Sequence, residues 1–183
     1  MPDPRRADAQ RNHEQVLAAA QAAFAEHGKD ASLRDVARRA GVGIGTLYRH
    51  FPTREALLGA LLRERFDSLS GYARSLAGTD DTRAALLDWL TRLAHGSTTY
   101  RGLPESVLSA LRDKESSLHA ACETMRTAGR ELLRRAQRAG TVRAGVTIED
   151  LLALAAGIAW ASEQSPRPEA TIERLLGYLA DGI

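Results

Sequence analysis

The sequence predicts an all-α protein of one or two small domains, and three observations support that class. Ala, Leu, Arg and Glu dominate the 183 residues, and runs of Val, Ile and Thr that favour strands are absent. Apolar residues recur every three or four positions over long stretches, which is the spacing of one helix face. Glycine is spread along the chain rather than repeated, and a hydrophobic share of 44% is sufficient for a packed core.

The chain is expected to open with an arm and a first helix. Residues 1–10 contain two prolines and two arginines but no apolar periodicity, so we predict that they form a flexible arm. From about residue 11 to residue 27 one face is apolar, and Gly28 is expected to end the helix in a left-handed conformation. The apolar residues on that face are Val16, Leu17, Ala20, Ala23 and Phe24.

A second, short helix is expected to begin at Ser32. Asp35 follows three residues later, which is the spacing of a capping box, in which each side chain satisfies backbone donors of the first turn. Gly41 comes directly after the last apolar residue, where glycine can end a helix without a Cβ penalty. The apolar face of this helix consists of Leu33, Val36, Ala37 and Ala40.

The stretch after Gly41 is unusual for a core helix, because glycines near its start are followed by alternating polar and apolar residues. Two helices joined by a tight glycine-containing turn form a helix-turn-helix, whose second helix enters the DNA major groove by its N-terminal residues. We predict that three residues anchor this helix to its domain: Val42, Leu47 and Phe51. Five residues are predicted to face DNA: Gly43, Ile44, Thr46, Tyr48 and His50.

The remaining residues predict further amphipathic helices. Thr53 is a plausible N-cap for a long helix over residues 54–75, and Thr147 with Asp150 has the spacing of a second capping box. The helix that this box opens is apolar nearly all round, so it must be covered on most sides. Its small residues allow the last two helices to form a four-helix interface with their two-fold mates, although a buried monomer core explains the same pattern.

The ordered set of elements in the first third of the chain resembles the DNA-binding domain of the TetR (tetracycline-repressor-like) family of transcriptional regulators. The matching sequence elements are Val16-Leu17, Val36-Ala37, Ala40-Gly41-Val42, Gly45-Thr46-Leu47-Tyr48, His50-Phe51 and Arg54-Glu55-Ala56-Leu57-Leu58. The resemblance implies a homodimeric, all-helical repressor. Its DNA-binding domain would occupy residues 11–53, and residues 54–183 would dimerise and often hold a small effector.

The resemblance also implies roles for individual residues. Direct DNA contacts would fall on Arg34, Ile44, Thr46, Tyr48 and His50, with Tyr48 and His50 at positions that usually touch phosphates. Arg54 stands where the family commonly has a lysine at the start of the next helix. Because Gly43 and Ile44 replace polar residues that often read bases, readout by hydrogen bonds would rest on Arg34 and Thr46, and Ile44 would press on a thymine methyl.

Candidate effector contacts follow from the helices that surround the pocket in similar regulators. The apolar and aromatic candidates are Trp89, Leu93, Val107, Leu111, Cys122, Met125 and Trp160. The polar candidates are His95, Tyr100 and His119. For any one of them, ordinary core packing is the better explanation. His119 and Cys122, with Glu115 or Glu123, supply only part of a metal site, so we predict no metal and no cofactor.

Charge and composition restrict the class of protein further. Residues 1–54 carry nine Arg or Lys against six Asp or Glu, a modest basic bias that suits phosphate contact. The single Cys122 suits a reducing compartment, and the longest apolar run, residues 151–161, is too short to span a bilayer, so we expect a cytoplasmic protein. No phosphate-binding loop, nucleophile elbow or zinc-protease motif is present, so an enzyme is not indicated.

These observations predict a sequence-specific transcriptional regulator that binds a near-palindromic operator as a homodimer through its last two helices. A repressor released by a small molecule is the favoured form. Two alternatives remain open from the sequence. One is a DNA-binding protein that needs no ligand, and the other is a helical small-molecule binding protein whose DNA-binding head is vestigial.

Overall fold

The computed structural model describes residues 4–96 and 103–182. In these ranges every regular element is helical, which confirms the all-α prediction. The helices are α1 Pro4–His27, α2 Leu33–Arg39, α3 Ile44–His50, α4 Arg54–Ser75, α5 Thr82–His95, α6 Glu105–Arg112, α7 Ser117–Arg138, α8 Ile148–Ser162 and α9 Pro168–Gly182. None of the helices described is both long and apolar enough to cross a membrane.

The first helix begins earlier than the sequence predicted. It starts at Pro4, so the described part of residues 1–10 is helical and the expected start near residue 11 is wrong. Proline suits the first position of a helix, where its missing N–H costs no hydrogen bond. The turns that follow gain side-chain pairs at helical spacing, Asp8 with Arg11 and Gln10 with Glu14. Local helix propensity therefore extends the helix beyond its apolar stripe.

Glycines end three of the helical segments as expected. Gly28, Gly41 and Gly140 have φ angles of 55°, 67° and 71°, in the left-handed region that side chains with a Cβ disfavour. At the other end of two helices the predicted caps are formed. The amide of Ala56 donates to Thr53 Oγ1 at 3.1 Å, and both hydrogen bonds of the capping box at Thr147 are present.

The described residues form two compact units, which we call the head and the body. The head contains the described parts of Met1–Glu64 and Thr99–Leu118, and the body contains those of Arg65–Thr98 and His119–Ile183. The core of the head is built from residues that are 0–3% exposed on four helices. They include Val16, Ala20, Phe24, Val36, Leu47, Phe51, Leu57 and Leu61.

The core of the body is centred on Trp89, which is fully buried. Its indole N–H donates to the carbonyl oxygen of Leu69 at 3.1 Å, so the polar atom of this large side chain is satisfied. The indole ring lies directly against Gly129 of α7. A Cβ at that glycine would be 2.3 Å from the ring, so glycine is needed for this packing.

Arginine side chains satisfy the carbonyl groups at several helix C-termini of the body. Arg65 donates to Leu93 O at 2.6 Å at the end of α5, and Arg135 donates to Leu76 O and Thr79 O beyond the end of α4. Carbonyls in the last turn lack partners within their helix, and a cation there also suits the helix dipole. The guanidinium groups therefore join one helix to the end of another.

Candidate nucleic-acid interface

The turn between α2 and α3 has a defined hydrogen-bond pattern. Gly41 N donates to Arg38 O at 3.2 Å, and Val42 N donates to Ala37 O at 3.0 Å. These two bonds, with Gly41 in the left-handed conformation, make a Schellman motif. The amide of Leu47 then donates to Gly43 O at 3.1 Å and begins the next helix. The sequence thus places two helices in a fixed helix-turn-helix.

The start of α2 is stabilised differently from the prediction. Ser32 occupies the N-cap, but its side chain accepts no cap hydrogen bond, so the predicted capping box is wrong. The Asp35 carboxylate instead pairs with Arg38 and Arg39, and Arg39 also lies 2.7 Å from Glu26 of α1. Two guanidinium groups at helical spacing compete with the backbone for the carboxylate. The result is an ion-pair network that joins α2 to α1.

This network changes the acidity of its carboxyl groups. The hydrogen bond from Arg39 lowers the pKa of Glu26, and the hydrogen bond from Arg38, aided by Arg39, lowers the pKa of Asp35. Both carboxylates therefore stay charged to a lower pH than unpaired carboxyl groups would. Arg38 and Arg39 are occupied by these pairs, whereas Arg34 is exposed and has no ion pair within the described part of the chain.

The anchors of α3 are buried as predicted. Leu47 is 0% exposed and Phe51 is 3% exposed, while Val42 is half-buried. The opposite face is open to solvent. Ile44 and Tyr48 are 39% and 47% exposed, although large apolar and aromatic side chains are usually buried. The predicted outward residues Thr46 and His50 are half-buried, and Gly43 and Gly45 are exposed.

The two exposed glycines of this segment have no internal explanation. A Cβ on Gly45 would meet no atom within 4 Å, and one on Gly43 would meet only Thr46 Oγ1 at 4.0 Å. Neither glycine has a positive φ. Alanine in place of Gly45 would be the better helix former. Whatever favours glycine at these positions therefore lies outside the described packing of the chain.

His13, which was not among the predicted site residues, contacts a residue of the predicted DNA face. The ring of His13 in α1 lies 5.9 Å from the ring of His50 and 4.9 Å from that of Phe51, measured between centroids. His13 precedes Val16 and Leu17 by three and four positions. Extending the apolar stripe of α1 by one turn would have placed it on the packed face. The rings of His13 and His50 meet edge to face, with an angle of 67° between their planes.

Arg54 occupies a different environment from an exposed phosphate ligand. Its side chain is half-buried and donates from Nη1 to Ala31 O at 2.5 Å and from Nη2 to Gly28 O at 3.5 Å. The guanidinium carbon lies 4.6 Å from the centroid of the Phe24 ring. The first residue of α4 therefore contacts the connection between α1 and α2.

The described candidate effector residues are divided between the head and the body and differ in exposure. Trp89, Leu93 and Met125 are 0–8% exposed and belong to the packed body core, with Cys122 half-buried against it. Burial raises the pKa of the Cys122 thiol. Trp160 instead is 69% exposed on α8. Two candidates belong to the head unit, Val107 and Leu111, and Tyr100 lies outside the described residues.

A groove in the body runs along the outer side of α8. Leu154, Gly157 and Ala161 of this helix line it together with Leu175 of α9. The outward residues from 153 to 161 are uncharged, and Leu154 is 44% exposed. Tyr178 of α9 is a further exposed large side chain of the body, with 65% of its surface exposed. An exposed apolar surface of this kind is typical of a protein interface.

Two family models match separate parts of the chain. Residues 16–61 match the tetR family of bacterial regulatory proteins, and residues 81–183 match the C-terminal domain of SbtR-like transcriptional regulators. The solved TetR transcriptional regulator SCO0520 from Streptomyces coelicolor is 35% identical to this chain. The match covers 93% of this chain and 97% of that one, with a TM-score of 0.73.

Two further relatives span most of the chain. The repressor KstR2 from Rhodococcus jostii is 27% identical over 188 residues, which cover 92% of this chain and 89% of that protein. The regulator LfrR from Mycobacterium smegmatis, solved in complex with proflavine, has the same fold with 24% identity and a TM-score of 0.71, covering 95% of this chain and 97% of its own.

A helix-turn-helix with an exposed second helix, followed by a larger helical region, defines a helical DNA-binding regulator. The chain belongs to the TetR family of bacterial transcriptional regulators. It is therefore a DNA-binding transcriptional regulator.

Proposed function

We propose that the protein is a homodimeric repressor that binds a near-palindromic operator and leaves it when a small molecule binds the body. The observation that carries the DNA-binding part is the exposed face of α3, with Ile44 and Tyr48 in solvent above the buried anchors Leu47 and Phe51. A helix held firmly on one side and open on the other suits insertion into the major groove.

The residues that we propose contact DNA have different chemical roles. Arg34 and Thr46 carry hydrogen-bonding groups and would read base edges, while Ile44 would contact a thymine methyl. Tyr48 and His50 would bind phosphates and fix the register of the helix. The exposed glycines at positions 43 and 45 would let the backbone approach the DNA closely, which fits the open space around both.

The proposed dimer forms through α8 and α9. The uncharged outward surface that contains Leu154 and Trp160 supports this assignment, because a lone chain would leave both side chains in water. Trp160 would then serve the dimer rather than an effector pocket. A symmetric dimer would present two recognition helices to half-sites roughly 34–36 Å apart along the DNA.

The effector part of the proposal rests on analogy with a structural neighbour. LfrR was solved with proflavine, and it shares the fold of this chain. A ligand would release the operator only if it bound the released state more tightly than the DNA-bound state. Thermal-shift screening followed by anisotropy with bound operator tests this part. A compound that stabilises the protein and displaces it from DNA supports release, and stabilisation without displacement contradicts it.

The dimer is tested by the substitution Leu154→Glu. A carboxylate in the proposed apolar interface would be buried without a partner, so the variant should be a monomer by light scattering and lose operator affinity. Leu154→Met is the matched control and should remain a dimer. A dimeric Leu154→Glu variant with unchanged operator affinity would reject α8 as the interface.

A further inference from the structure

Arg54 is the first residue of α4, and its guanidinium group is already engaged inside the head. It donates to the carbonyl oxygens of Ala31 and Gly28 from two different nitrogens, at 2.5 Å and 3.5 Å. The ring of Phe24, which is 3% exposed, lies below the guanidinium. Three contacts from one side chain therefore meet at the segment that joins α1 to α2.

The two contacted carbonyls belong to the connection between α1 and α2, in which Gly28 O also accepts the Ala31 amide at 3.3 Å. Gly28 turns the chain with a φ of 55°, a 3-10 turn follows over Gly28–Asp30, and Ala31 is 2% exposed. Carbonyls at a helix C-terminus lack intrahelical donors, and the dipole there favours a positive charge. A planar guanidinium can satisfy two such oxygens while it stacks on an aromatic ring.

We propose that Arg54 is a positioning residue for DNA recognition rather than a phosphate ligand. By fixing the Gly28–Ala31 connection it sets the direction in which α2 leaves that connection. We call the contacts of Arg54 with Gly28 O, Ala31 O and the Phe24 ring the clamp. Because α2 carries Arg34, the clamp controls the position of the side chain that we propose reads base edges. This inference rests on the proposed DNA contacts of Arg34 and α3.

A phosphate ligand and a positioning residue require different properties of the side chain at position 54. A phosphate contact needs a positive charge at this position, and a lysine supplies that charge. The clamp needs a planar fork that reaches two carbonyls and stacks on Phe24, and a lysine has a single ammonium group with no planar face. The substitution of Arg54 by lysine therefore separates the two roles.

The experiment compares Arg54→Lys and Arg54→Gln with the unmodified protein. Operator and scrambled DNA are titrated at several salt concentrations, at a temperature where circular dichroism shows every variant folded. Arg49→Lys and Arg49→Gln are matched controls, because Arg49 is an exposed arginine of α3 with no described partner inside the chain. Hydrogen exchange of the free proteins is followed in residues 28–33 and in α8.

The clamp predicts that Arg54→Lys fails like Arg54→Gln. Both should lose about tenfold in operator affinity and reduce the preference for operator over scrambled DNA. Arg54→Lys should keep the salt dependence of the unmodified protein, since no phosphate contact is lost. Exchange should accelerate in residues 28–33 and stay unchanged in α8. Arg49→Lys should bind like the unmodified protein.

The opposite pattern would overturn the inference. If Arg54→Lys binds and exchanges like the unmodified protein, while Arg54→Gln lowers the salt slope by about one unit, Arg54 is a phosphate ligand. If Arg54→Lys and Arg54→Gln both bind DNA and exchange like the unmodified protein, Arg54 is neither a phosphate ligand nor a positioning residue. If the unmodified protein shows no operator preference, the proposed DNA contacts are wrong. Hydrogen exchange in residues 28–33 then still shows whether Arg54 stabilises this connection, because exchange is measured without DNA.

Discussion

Helices α3 and α7 each contain a glycine in a position where another residue would stabilise the helix better, and the two glycines have opposite surroundings. A Cβ on Gly129 would lie 2.3 Å from the Trp89 ring, whereas one on Gly45 would meet nothing within 4 Å. The body glycine is explained by packing inside the chain. The glycine of the recognition helix is not, which is the expected pattern where a partner must approach the backbone.

The largest effect is expected from Gly129→Ala. The added methyl group cannot fit beside the buried indole, and overpacking of this kind costs about 1–3 kcal/mol of stability. Chemical denaturation should show this loss. Combining the change with Trp89→Leu tests the cause, because the smaller side chain removes the clash and the cost of Gly129→Ala should shrink. An equal cost in both backgrounds would contradict the packing explanation.

The matching change in the head, Gly45→Ala, should act in the opposite direction on stability. Alanine stabilises a helix interior by about 0.5–1 kcal/mol relative to glycine, and the gain at Gly45 should be smaller because it lies in the first turn of α3. Nothing in the chain obstructs the Cβ of an alanine at this position. Operator affinity should nevertheless fall by about tenfold, since the methyl group would occupy the proposed contact with DNA.

Gly71→Ala provides the control for this prediction. Gly71 is an exposed glycine of α4 that also has open space around its Cα. This position lies in the interior of α4, so its replacement should raise the free energy of unfolding by about 0.5–1 kcal/mol and leave operator binding unchanged. If Gly45→Ala behaves like Gly71→Ala in anisotropy titrations, the backbone of α3 does not approach DNA closely.

Side chains of the recognition face should have smaller effects that differ in kind. Tyr48→Phe removes one proposed phosphate hydrogen bond and should cost about 1 kcal/mol on operator and scrambled DNA alike. Thr46→Ala should cost a similar amount on operator only, and so change sequence preference. Titration of both variants against both DNAs measures the difference. Identical losses would remove the division between positioning and base-reading residues.

The smallest effect is expected from the ion pairs that join α2 to α1. The folded pKa values of Glu26 and Asp35 lie below their ordinary values of 4.5 and 3.8, so each contributes stability above those values. That contribution is lost as the pH falls through the lowered values. Glu26→Gln should therefore be slightly less stable than the unmodified protein at pH 7, and the difference should vanish as the pH falls below the lowered pKa of Glu26. A constant difference would contradict the linkage.

The sequence predicts the recognition helix well because its features are local. Leu47 and Phe51 are four residues apart on one helix face, so their burial and the exposure of Tyr48 follow from periodicity. The left-handed turn at Gly41 is also a local property. The bounds of α4 follow from the same rules, since a helix from Arg54 to about Ser75 was predicted and the structure has Arg54–Ser75.

Contacts between distant segments could not be predicted in this way. The Arg54 guanidinium meets carbonyls more than twenty positions earlier in the chain, and no local pattern marks those oxygens as acceptors. Trp89 and Trp160 looked equivalent as pocket candidates in the sequence, yet one is the centre of the body core and the other is 69% exposed. Tertiary packing, which periodicity does not describe, decides between such positions.

The central claim, that the helix-turn-helix of α2 and α3 gives this regulator its DNA specificity, is tested most directly by anisotropy titration. The DNAs are segments from around the protein's own gene and scrambled versions of them, at two salt concentrations. The account predicts a preference of about a thousandfold or more for one near-palindromic segment that persists at the higher salt, and loss of that preference in Thr46→Ala combined with Arg34→Ala. Equal, salt-sensitive binding to every DNA would contradict it.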